Sequence, residues 1–143
     1  MYPGRQMRYA EPMKRTLLLI SVISIFAGFS IAQDDAVYSS WMKSINPSMT
    51  AIRAGIAAKD NPTVAAEATK LAATFEQVSG FWTQRKADDA VGFAKAARDA
   101  AKTLAAATDP DAQNAALATI NAQCGACHRA HRDGGRGAPY VIK

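Results

Sequence analysis

At 143 residues the chain has room for one domain of ordinary size. Its net charge of +5 resides largely in the first 32 residues: from Gln33 to Lys143, 111 residues, 13 Lys and Arg face 11 Asp and Glu, and the charge falls to +2. With no basic run and no interleaving of basic and aromatic residues, this composition excludes a nucleic-acid footprint.

The chain starts with a pattern of export. Met13, Lys14 and Arg15 give a short basic start, and Leu17 to Phe29 follow as an uncharged run closed by Ser30-Ile31-Ala32, a small-x-small cleavage signature. Residues 1–32 therefore read as a secretory signal peptide. The acidic Glu11 upstream fits such a leader poorly, which makes Met13 the better start. The apolar stretch falls short of the roughly 20 residues that comfortably span a bilayer, so the expectation is cleavage after Ala32 and no stable membrane insertion afterwards.

Residues 33–143 read as all-α. A first helix is expected from Asp34 or Asp35, with Val37, Trp41, Ile45, Met49, Ile52 and Ile56 stepping by three or four along one face. Pro47 interrupts that stripe and should kink the helix around residues 43–46. Asn61-Pro62 is a cap followed by a proline at the first helical position, opening a second helix with Val64, Ala68, Leu71, Phe75 and Val78 inward and an end near residues 80–82. Asp88 or Asp89 caps a third, whose inward residues are Val91, Ala94, Ala97, Ala101 and Leu104. Asp109-Pro110 repeats the cap-plus-proline signal for a fourth carrying Leu117, Ile120, Cys124 and Cys127 to about Asp133, beyond which the tail to Lys143 reads as loose. Four such helices with short connections pack most simply as an antiparallel up-down-up-down four-helix bundle. Helices three and four supply many alanines and few large side chains, so a bulky apolar cofactor would fill the interior.

The chemistry lies in Cys124-Gly125-Ala126-Cys127-His128. Both cysteines of the chain fall in this CxxC, where a disulfide would close too short a loop to stabilise much. CxxCH is the pattern for covalent haem attachment: two thiols add to two vinyl groups, and the imidazole of His128 binds the iron from one side. Two alternatives remain beside it. A dithiol redox site needs its CxxC at a helix N-terminus, and this one lies deep in the last helix. A zinc site would use Cys124, Cys127, His128 and His131, four donors crowded into two turns of one helix.

In an antiparallel bundle the end of helix four lies beside the beginning of helix one, and equal depth from that end reaches residues 39–43, hence Met42 as a second axial ligand. From Gln33 onward there are two methionines and two histidines. Met49 lies roughly 10 Å further along at 1.5 Å per residue, and His131 shares the helix of His128 and cannot cross the porphyrin. The same depth places Val78, Phe81, Trp82 and Val91 at the cofactor wall. Arg129, Arg132 and Lys43 would meet propionates or present a basic rim to an acidic redox partner; a solvated charged face is the plainer account.

The segments Cys124 to His128, Arg129 to Arg132 and Trp41-Met42-Lys43 together resemble the class II c-type cytochromes, the cytochrome c-prime family. The resemblance spans residues 33–143 and implies a four-helix bundle with haem c in the last helix. Met42, with Met49 seven residues later, is similar to the pattern of the low-spin members, which bind iron through a methionine near the start of helix one; high-spin members leave that position empty. The family implies electron transport with a redox partner protein, or gas binding where the site is open, and a homodimer through the first two helices. The chain departs from it in His131, where many members carry an aromatic residue, and in Ser39 or Ser40, where many carry a helix-one arginine before the distal position. The resulting expectation is a periplasmic, non-enzymatic carrier of single electrons, with binding of nitric oxide or carbon monoxide at a five-coordinate iron as the alternative.

Overall fold

The computed structural model describes the backbone of residues 12–135 and 138–143 and the side chains of residues 35–135 and 140–143. The leader reading of residues 1–32 lies outside the residues whose side chains are described. Among the described residues no helix is long and apolar enough to cross a membrane. The chain divides into two units, residues 1–36 and 37–143, and the second holds the buried core and both cysteines.

Four helices carry the fold: α1 (Pro12–Ala58), α2 (Asn61–Gln84), α3 (Asp88–Ala106) and α4 (Pro110–His131), followed by strands β1 (Arg132–Gly135) and β2 (Ala138–Ile142). Helix α1 does not begin at Asp34 or Asp35. An aspartate caps a helix only when the chain before it leaves helical geometry, and residues 13–33 contain no proline to force that. Helix α1 continues through Pro47. The proline leaves the Lys43 carbonyl without a helical donor; in the turns before it, Ser40 and Ser44 donate their hydroxyls to the carbonyls of Val37 and Trp41, each at 2.7 Å. The buried stripe of α1 starts one residue later than the spacing suggests. Val37 is 41% exposed while Tyr38 is buried at 8%.

The caps correct two further expectations. Helix α2 is capped by Asp60, whose carboxylate accepts from the Thr63 N–H at 3.2 Å, and Asn61 is already helical. The reason lies upstream. Lys59 takes a left-handed φ of 57°, the Asp60 N–H donates to the Gly55 carbonyl and the Lys59 N–H to that of Ile56, which is the double bond of a Schellman ending. The same device recurs after α2, where Lys86 has φ 56°, Lys86 N–H bonds to Thr83 and Ala87 N–H to Trp82. That tight ending delivers Ala87 directly as the start of α3, with no side-chain cap, and leaves Asp88 and Asp89 in the first turn. Their charge still suits that end of the helix. Asp109 caps α4 as read, accepting from the Ala112 N–H at 3.0 Å.

Two apolar clusters hold the helices together. The first gathers Met49 and Ile52 of α1, Val64, Leu71 and Phe75 of α2, Leu104 of α3, and Leu117 and Ile120 of α4. Helix α3 contributes mostly alanine, so its neighbours approach it closely. Gly55 serves the same purpose between α1 and α2: a Cβ there would lie 2.9 Å from Val64 Cγ2. The second cluster joins Tyr38, Val78, Phe81, Trp82, Ala90 and Ala94 at the other end.

The segment after α4 is paired rather than loose where it is described. Strands β1 and β2 run antiparallel, with Arg132 opposite Ile142 and Asp133 opposite Val141. Gly134 and Gly135, at φ 87° and 102°, take the left-handed backbone that an irregular step in this ladder requires.

The end of the bundle away from the CxxCH is closed by one buried polar side chain. Gln113 is 1% exposed, and its amide donates to Asn61 Oδ1 and to the Ala107 carbonyl, both at 2.9 Å. Gln113→Leu removes both donors and leaves two acceptors short of partners. The expected loss is about 1–3 kcal/mol, read as a lower midpoint in urea with an unchanged slope; a variant as stable as the parent would show that water replaces the amide.

Candidate functional site

Helix α4 divides into two stretches. Gln113, Ala116, Leu117 and Ile120 are buried, at the spacing of one helical face. Beyond Ile120 no residue of α4 is buried, and every position from Gln123 to His128 is half-buried. Cys124 packs against the first cluster and Cys127 against the second, so the CxxC straddles the boundary between them. Three residues apart, the two thiols share one face.

Burial pushes both thiols up. Cys124 rises for that reason alone, and Cys127 is raised to about 11 by burial first, then by the charges of Cys124 and Asp89. Both therefore stay protonated at neutral pH in the unliganded chain. Among the described residues no three His, Cys, Asp or Glu side chains converge on a point that could hold a metal ion. His131 in particular is engaged elsewhere, its Nε2 lying 2.9 Å from Asp89 Oδ2. Hydrogen bonding to His131 holds the Asp89 carboxyl below its ordinary range; a carboxylate only accepts, so the proton is on Nε2. His128 has its pKa lowered by burial and then by Arg132. A neutral imidazole is the form that ligates metal.

The residues read as cofactor wall come together. Val78, Phe81 and Trp82 are buried in the second cluster, and Val91, Met42 and Cys127 pack against it half-buried. Met49 lies in the first cluster, 4% exposed. Of the basic residues, Lys43 and Arg129 are exposed, and the Arg132 guanidinium lies 4.1 Å from the centre of the Tyr140 ring.

Tyr38 belongs to this group although the helix-one stripe omits it. Its ring stacks on Phe81 at 4.2 Å and meets Trp82 edge-on at 5.7 Å. One turn before Met42 on the same helix, it is recoverable from the spacing of four. Burial raises the Tyr38 hydroxyl to about 12, with the Cys127 charge next, and the nearby Trp82 works against that rise. The Trp82 indole N–H is nonetheless buried without an acceptor in hydrogen-bonding geometry.

These features fit an apolar group carrying polar edges. A strip of α4 lacking buried side chains, two neutral thiols on it and an unpaired buried donor beside it are what a covalently held porphyrin would occupy. No protein-family model and no curated protein matches this chain.

Because Tyr38 holds its proton to about pH 12 when folded and to about 10 when unfolded, its contribution to stability is present below pH 10 and is lost as pH rises to 12. The full loss is on the order of 2–3 kcal/mol. Urea unfolding of the cofactor-free chain at pH 9 and 11 should show the decline, and Tyr38→Phe should reduce it. The raised Cys127 thiol adds a decline of the same sign from about pH 9, which Tyr38→Phe retains.

Proposed function

We propose that this chain is an exported c-type cytochrome that carries single electrons, folded as an antiparallel up-down-up-down bundle with haem c held by α4. The observation that carries the reading is the half-buried strip of α4, Gln123 to His128, with two thiols on one face and that of Cys127 against the cluster on which Met42 also packs. Connections of two or three residues between successive helices favour the antiparallel arrangement. Export and a periplasmic location rest on the leader-like sequence of residues 1–32.

When bound, the haem supplies an iron that alternates between the ferrous and ferric states. Cys124 and Cys127 would hold the group through thioether bonds, their S–H bonds adding across its two vinyl groups with no leaving group. His128 would supply an imidazole to the iron, and Met42, on α1, is the candidate thioether ligand. Val78, Phe81, Trp82 and Val91 exclude water, so that little solvent rearranges when charge changes. Lys43 and Arg129, exposed near this end, suit an acidic redox partner.

Mass spectrometry of the exported protein should find one haem that survives denaturation, lost on Cys124→Ser combined with Cys127→Ser; retention in that double variant would sink the attachment. The visible spectrum of the reduced protein should be sharp and indifferent to carbon monoxide, and Met42→Leu should make it responsive. A parent protein that already responds would move the reading to a five-coordinate, gas-binding haem protein.

A further inference from the structure

The end of α4 is fastened at a single residue. His131 bonds Asp89 of α3 through Nε2 at 2.9 Å, lies against the Trp82 ring of α2 with centroids 4.8 Å apart, and accepts the Lys143 N–H at its own carbonyl at 3.1 Å. Two other helices and Lys143, just after β2, thus meet on the residue one helical turn beyond His128. Their attachment is specific. The ring is largely buried, with 17% of its side chain exposed, and Ile142 at the end of β2 packs on the cluster that contains Trp82, Met42 and Cys127.

We infer that His131 and Asp89 are positioning residues for the haem ligation proposed above, an inference that rests on that reading. A helix end frays unless something holds it, because its last carbonyls have no helical donors. Here the final turn carries both Cys127, one of the two attachment points, and His128, the iron's imidazole. Movement of that turn away from α3 would carry Cys127 and His128 away from the wall formed by Phe81 and Trp82 and from Met42 on α1. The Asp89–His131 bond opposes that movement through geometry, without either residue touching the iron. It also fixes the position of a carboxylate close enough to Cys127 to raise its thiol. The order of elements makes the pairing economical: Asp89 stands in the first turn of α3 because the Schellman ending of α2 leaves Ala87, not an aspartate, as its cap.

The test uses exported holoprotein and three readouts: the haem mass retained after denaturation, the rate at which reduced protein binds carbon monoxide, and the unfolding midpoint. His131→Ala and Asp89→Ala should retain haem and bind carbon monoxide roughly tenfold faster than the parent, the scale of a modest coupling between sites. His131→Gln and Asp89→Asn each preserve an N–H to oxygen bond between the two side chains and should restore most of the parental rate. Retained haem with an unchanged carbon monoxide rate and only a lower unfolding midpoint in both alanine variants would overturn the positioning role while leaving the haem reading intact. Absence of haem from the parent protein would overturn both. Asp89 is exposed, so its variants keep the test decisive even where His131→Ala fails to fold.

Discussion

One face of α4 has to serve two purposes, and the rest of the bundle accommodates the division. Up to Ile120 that face is core, closed by Leu104 of α3 and Ile52 of α1 and fastened at its start by the Gln113 amide. Beyond Ile120 no residue of α4 is buried. Cysteine is small, so two of them a turn apart leave the surface of α4 thin where leucine would have thickened it. The partners of this stretch are correspondingly large. Tyr38, Phe81 and Trp82 bring three stacked and edge-on rings to one end, where the opposite end uses aliphatic residues and a single Phe75. The asymmetry in side-chain size therefore follows the position of the CxxCH along α4.

The alanines of α3 make this arrangement possible. Ala90, Ala94, Ala97 and Ala101 are all nearly or fully inaccessible, and their small volume brings the α3 backbone close to its neighbours. Close approach puts Asp89 within reach of the last turn of α4. A larger residue at Ala90 or Ala94 would push α3 outward and stretch the contact to His131. Packing at the core and polar pairing at the helix end are thus one constraint expressed twice.

Much of this is legible in the sequence, and the failures share a cause. Four helices and the Asp109 cap follow from spacing and from local side-chain chemistry, which act over three or four residues, and the grouping of Val78, Phe81, Trp82 and Val91 follows from equal depth in an antiparallel bundle. Local rules misplace the N-termini of α1, α2 and α3 because each depends on how the preceding residues leave their own structure. Lys59 and Lys86 adopt a left-handed backbone that lysine does not advertise, and no spacing rule anticipates it. The tail differs from its reading for a similar reason: its glycines suggest looseness, whereas they supply the positive φ of an irregular hairpin. Tyr38 escapes notice because Val37 satisfies the same periodicity one position earlier. The contact between Asp89 and His131 joins residues 42 positions apart, and nothing local in the sequence pairs them.

The electrostatics of the site follow from its half-buried state. Full burial would close the strip to any ligand, and full exposure would let both thiols ionise near their ordinary values and let His128 titrate in the physiological range. Partial burial keeps Cys124, Cys127 and His128 neutral while leaving them reachable. Under the proposed function each of these neutral forms is the one required, since a thiol adds to a vinyl group with its own proton and an imidazole ligates through an unprotonated nitrogen. A low-polarity surrounding also disfavours the extra positive charge of ferric iron. Under the proposed function the apolar wall that maintains the neutral donors before attachment would thus also bias the finished cofactor towards its ferrous state, so that the assembly of the site and its redox behaviour would depend on the same side chains.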